Sequence, residues 1–152
     1  MDKKYKLTEE TINVNGKTLY RIEALKDFSD VKQGEKGGYV EKEENLSQSG
    51  DCWAYDNAKI YDNAKVFGSA IVYEDAAVYG NAKVYGEADV CGNVCVFGVA
   101  KVYDDAIVCG NAKVYGKAIV CGHAKVYDNA KVHGDAVVHG DAEVFGNAVV
   151  YD

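Results

Sequence analysis

From Ala54 onward a six-residue phrase repeats without insertion or deletion, typified by Val78-Tyr79-Gly80-Asn81-Ala82-Lys83. With the Val position called i, that position holds Ala54, Ile60 and then Val at 66 and at every sixth residue to Val150. Position i+4 holds Ala throughout, with Val94 the one larger residue. Each Ala-x-Val-x stretch alternates as a pleated strand requires, small and branched residues on one face and variable ones on the other. Gly or Asp at i+2 and Asn or Asp at i+3 then supply a corner. A helix is excluded, because six is no multiple of its 3.6-residue period and the Val row would wander around the axis.

Strands of about four residues joined by two-residue corners cannot form hairpins with a consistent inside. They can wind as an all-β, single-stranded parallel β-helix with three faces and eighteen residues per coil. Coils stacked at about 4.8 Å would set Val over Val and Ala over Ala. Each buried Val then contributes roughly 1.5–3 kcal/mol. The register extends back to Lys42 with Leu46 and Cys52 at i+4, although Gln48 at i is a poor core residue, and residues 42–152 make about six coils. Residues 1–41 read as a capping segment. Thr11 to Val14 and Lys17 to Leu25 alternate around Asn15-Gly16, a strong hairpin signal, and Gly37-Gly38 permits a sharp bend into the first coil. Val149-Val150-Tyr151-Asp152 stops on a strand, so either a second copy docking end to end on Val150 and Tyr151 or a protein partner is expected to cover it.

This pattern resembles the hexapeptide-repeat left-handed β-helix proteins, and the left hand is implied by that resemblance alone. The chain departs from the usual repeat by carrying Gly at i+2, with Tyr, Phe, Cys or His at i+1 where Gly is customary. Asp27-Phe28-Ser29-Asp30-Val31-Lys32, Gly34, Gly37-Gly38-Tyr39-Val40 and Asn45-Leu46-Ser47-Gln48-Ser49-Gly50-Asp51-Cys52-Trp53 are similar to the head of YdcK-type hexapeptide-repeat proteins of bacteria and prophages. The resemblance implies a fold and a source, and no activity.

At 152 residues there is room for one core. The start, Met1-Asp2-Lys3-Lys4-Tyr5-Lys6, has no apolar secretory run and no stretch is long enough to span a membrane, which predicts a cytoplasmic location. Five cysteines, an odd number, fit a reducing compartment better than a disulfide framework. The net charge of −7 disfavours nucleic acid as a partner. No cofactor and no metal are expected.

Stacking at eighteen-residue spacing aligns outward columns. Lys65, Lys83 and Lys101 form a basic column beside Phe67, Tyr85 and Tyr103, able to hold a nucleotide or an acidic partner. A corner column of Glu87, Asp105, His123 and Asp141 is the densest polar constellation and has the residue types for acid–base work. A third face begins with Trp53 and Tyr55, Ile71 and Tyr73, Asp89 and Cys91, Ile107 and Cys109. Its apolar rows predict a cover, either the N-terminal hairpin or a neighbouring subunit side by side. Cys91 and Cys109 read as half-buried thiols, and Cys52, Cys95 and Cys121 make no ligand spacing with them. His133 and His139 lie on successive faces and point apart, unlike the His ligands that the β-helix carbonic anhydrases share across subunits.

Two functions follow. The preferred reading is a non-catalytic binding or assembly scaffold, phage-derived and acting on a host component, and no enzyme. The alternative is an acyltransferase-like enzyme using acyl-coenzyme A. The uninterrupted hexads argue for the scaffold, because they extrude no loop to wall a pocket.

Overall fold

The computed structural model describes residues 2–152, all β apart from a single 3-10 turn at Glu43–Asn45. Each hexad beyond Trp53 contributes a strand of two or three residues, paired in parallel with the strand eighteen residues on. Ile60, Val78, Val96, Val114, Val132 and Val150 lie in one such row. Equivalent rows run from Val66 to Val138 and from Ala54 to Val144. Three sheets of nine, five and six strands result, the walls of a prism whose interior is almost wholly Val and Ala. The i and i+4 residues from Ala58 to Val132 are all buried, Val94 included.

The corners follow one rule. At all corners but those of Cys91 and Cys109 the amide of i+4 bonds back to the carbonyl of i+1, as in Ala64 to Tyr61 at 3.2 Å, which closes a tight turn with a left-handed residue at i+2. That residue is Gly, or it is an acid at φ near +58°: Asp56, Asp62, Glu74, Asp104 or Asp128. Each acid accepts a hydrogen bond from the i+2 amide one coil below at 3.0–3.1 Å. The bond offsets the strain of a side chain in the left-handed region.

The cap is built from β1 (Tyr5–Val14), β2 (Lys17–Ala24) and β3 (Lys36–Val40). The hairpin turns at Asn15-Gly16, both with positive φ, as its twist requires. β3 pairs antiparallel with β2 and in parallel with Lys59–Ile60, so the antiparallel cap and the solenoid share one sheet. This protects the top edge of that sheet from pairing with another chain. Gly37 and Gly38 are needed because the backbone passes so close to the first coil; a Cβ on Gly38 would lie 2.5 Å from the carbonyl oxygen of Ala58. Tyr5, Ile22, Ala24 and Val31 close the top of the core.

The first coil departs from the sequence-based register. Tyr39 and Val40 already stack on Lys59 and Ile60, twenty residues away, and Leu46, not Gln48, stands over Val66. Parallel stacking therefore begins inside the segment assigned to the cap. Gln48 is displaced outward, where its amide accepts from the backbone of Lys4 and Tyr5 at 2.8 and 3.1 Å and donates to Tyr5 at 3.2 Å. A polar residue at the core position was resolved by a two-residue slip. Among the described residues no helix is long and apolar enough to cross a membrane.

Candidate functional site

One edge of the prism gathers most of the candidate residues. Lys65, Lys83 and Lys101 are in strict parallel register and their side chains are exposed. Below them Ile119 and Val137 continue the column, which confines the positive charge to the upper coils. Beside the lysines Phe67, Tyr85 and Tyr103 stack nearly parallel, with centroids 4.7 and 4.9 Å apart. Burial pushes the Tyr85 phenol above its ordinary value, and a hydrogen bond with Cys121 does most to raise that of Tyr103.

Phe67 is the top ring of this ladder. Above it, where the next coil would put another ring, lies a hollow of about 310 Å³ lined by Glu44, Ser47, Lys65, Val66 and Phe67. A second hollow of about 360 Å³, lined by Lys42, Glu44, Asn63, Ala64 and Lys65, adjoins it through Lys65 and Glu44. Both exist because the first coil is irregular: the 3-10 turn replaces a regular corner. One turn of the same edge further round, Glu87, Asp105, His123 and Asp141 are all exposed. Of these the structure joins one pair, His123 Nδ1 to Asp105 Oδ2 at 3.5 Å. Among the described residues no three metal-ligating side chains converge. His133 is absorbed in another ladder, stacked between Tyr115 and Tyr151 at 4.9 and 5.5 Å.

The expected apolar interface is altered by the cap. Trp53 is wholly buried, edge-on to Phe28 at 5.1 Å and to Tyr5 at 6.0 Å, and so belongs to the core and to no outer surface. Tyr55 is half-buried and donates to Asp30 at 2.8 Å. Ile71, Tyr73 and Ile107 stay half-buried on the outer face. Val150 is half-buried and Tyr151 is exposed on the last coil.

Sequence reasoning missed Lys4. It is buried over the ring of Phe28, donating to the carbonyls of Cys52 and Gly50 at 2.7 and 3.1 Å and to the Cys52 sulfur at 3.4 Å. Burial holds its ammonium below the usual lysine range. Nothing in the local sequence marks Lys4 apart from Lys3 or Lys6, since its partners come from a distant segment. Arg21 was missed likewise: it lies over the Tyr39 ring at 4.3 Å, pairs with Glu10 and donates to the Gly37 carbonyl at 2.7 Å.

A family profile described as YdcK Beta solenoid repeat matches residues 58–74, three strands and the two corners between them. The chain carries a YdcK-like β-solenoid. A curated relative, the uncharacterized acetyltransferase YdcK of Escherichia coli (strain K12), is 45% identical over 42 residues, which are 28% of this chain and 13% of the relative. The match thus spans only a small part of that protein's length. Its name corrects the expectation that the chain is no enzyme, since the relative is an acetyltransferase by that name. Irregularity in this solenoid sits in the first coil, before the strict repeat begins.

Proposed function

We propose that the YdcK-like solenoid is an acyltransferase of hexapeptide-repeat type, taking acyl-coenzyme A along the edge that carries Lys65, Phe67 and His123. The observation that carries this reading is the free face of Phe67 over a hollow beside Lys65. A nucleotide base slid onto that face continues a ladder already spaced for aromatic stacking, and stacking of a base on an aromatic ring is worth about 1–3 kcal/mol. Ser47 and Glu44 offer polar edges to the base. The phosphates meet Lys65, Lys83 and Lys101, as expected of ammonium groups. The name of the relative gives the reaction class.

The chemistry falls to His123. Three strand spacings, about 14 Å, separate the coil of Phe67 from that of Cys121 and its neighbour His123. An extended acyl-bearing arm covers that distance. His123 accepts the proton of an acceptor amine or hydroxyl through Nε2 as the acceptor attacks the thioester carbonyl. Asp105, with Oδ2 3.5 Å from Nδ1, stabilises the imidazolium that forms. The C–S bond breaks, the acyl group stays on the acceptor, and His123 returns its proton to the departing sulfur, so that the thiol leaves. The edge is open to solvent on its outer side, so we assign its second wall to a neighbouring copy packed side by side.

Thiol release from acetyl-coenzyme A, followed with a panel of amine and hydroxyl acceptors, tests the reaction. His123→Ala is expected to lower kcat by about 100-fold or more with acetyl-coenzyme A affinity kept, and Lys83→Glu to weaken that affinity. No binding by wild type, or full turnover by His123→Ala, overturns the reading. Light scattering of the wild type tests the side-by-side copy, which a strict monomer at the assay concentration would exclude.

A further inference from the structure

The i+1 column of the six-stranded sheet runs Tyr55, Tyr73, Cys91, Cys109, Tyr127, Phe145. In the other two i+1 columns neighbouring rings stand mostly 4.7–5.0 Å apart and nearly parallel. Here two thiols take the place of two rings, between Tyr73 above and Tyr127 below. The backbone register around them is strict. Asp89 and Val90 pair in parallel with Ile107 and Val108, and the amides of Cys91 and Cys109 each bond to the coil below at 2.9 Å. The two thiols therefore point the same way, one strand spacing apart. Cys91 is 9% exposed and Cys109 is half-buried, so both are reachable from one side only.

That spacing discriminates between the two things a thiol pair can do. A relaxed disulfide wants its Cβ atoms about 3.8 Å apart, roughly 1 Å closer than in-register stacking at about 4.8 Å allows. Hydrogen bonds above and below hold the coils against that contraction. Two metal–thiolate bonds of about 2.3 Å in line span about 4.6 Å, which fits the stack without moving the backbone. Soft thiolate ligands select soft cations such as Cu(I).

We propose that Cys91 and Cys109 form a linear bis-thiolate site for one soft monovalent cation, Cu(I). On binding, two S–H bonds break, two S–Cu bonds form and two protons pass to solvent, with no change of oxidation state. The complex carries one negative charge. The other charged groups around the pair are Glu74, Asp89 and Asp128.

The test is an anaerobic titration of the full, reduced chain with Cu(I) against the chelator bathocuproine disulfonate, with stoichiometry read by native mass spectrometry. One copper per chain, two protons lost, and an X-ray absorption spectrum with two sulfur neighbours are expected. Cys91→Ser and Cys109→Ser each remove the complex at a chelator concentration where wild type retains it, while Cys95→Ser and Cys121→Ser retain it. Thermal melts of the four variants distinguish lost binding from lost fold. Copper kept by either Cys91→Ser or Cys109→Ser, or lost equally from Cys95→Ser, overturns the proposal. So does a Cys91–Cys109 disulfide formed with diamide in the folded chain, which would remove the spacing argument.

Discussion

At the scale of the residue, the i+2 corner is the most exacting position in this chain. Its backbone is left-handed, and the corner one coil below presses against the space a side chain would use. At Gly86 φ is +68° and an added Cβ would stand 2.8 Å from the amide nitrogen of Asp104. Gly86→Ala is therefore expected to destabilise the protein by about 1–3 kcal/mol, read from urea unfolding. A loss below about 0.5 kcal/mol would mean that the corner relaxes at little cost. Asp104 occupies the same kind of corner at φ +58°, and its carboxylate bond to the Gly122 amide at 3.0 Å is the compensation Ala would lack. This rule was only partly legible in the sequence. Gly and Asp at i+2 announce a corner, but the bond to the coil below depends on stacking that no single hexad displays.

At the scale of the element, the cap is held by buried polar groups and so responds to pH in a way the Val and Ala core does not. Tyr5 is buried, donates to the carbonyls of Glu43 and Leu46, and burial pushes its phenol above the ordinary value of 10.0. Above pH 10 the unfolded phenol has lost a proton that the folded one keeps, so the folded state loses stability as pH rises. Lys4, held below its ordinary value, acts in the opposite sense below pH 10.5. Comparing wild type with Tyr5→Phe isolates the phenol. The variant is expected to be the less stable protein at pH 8, and its deficit to shrink by pH 11 in urea unfolding. A constant deficit would show that Tyr5 ionises no differently in the folded cap. The cap's hairpin was legible through Asn15-Gly16, whose type of turn needs positive φ at both residues. Its docking was not, because Tyr5, Phe28 and Trp53 meet across long stretches of chain with no period to link them.

At the scale of the whole molecule, the solenoid is a one-dimensional stack in which each coil depends on its neighbours. Val102 is fully buried with coils above and below, whereas Val144 lies in the last rows and keeps 8% of its surface. Val102→Ala is expected to cost about 2 kcal/mol, from two lost methyl groups and the cavity they leave. Val144→Ala is expected to cost less than half as much, and equal losses would point to a partner covering the lower coils. The Lys65 to His123 edge also belongs to this scale. Its columns were readable from the eighteen-residue spacing, and the structure keeps them in register. The hollow over Phe67 was not readable, since it arises where a twenty-residue first coil meets the eighteen-residue ones.

The hexad alone determined the parallel solenoid, its three walls, its Val and Ala interior and the outward columns, because a strict period forces identical environments at every repeat. Tertiary structure decided what happens where the period fails: the slip that puts Leu46 over Val66, the burial of Lys4 and Trp53 beneath the cap, and the hollow beside Lys65. Those outcomes depend on which non-repeating side chains pack against one another across the first coil. Local pattern carries no information about such packing, so the hollow over Phe67 could not be read from the repeat, whereas His123, Cys91 and Cys109 stand in regular hexads whose columns could.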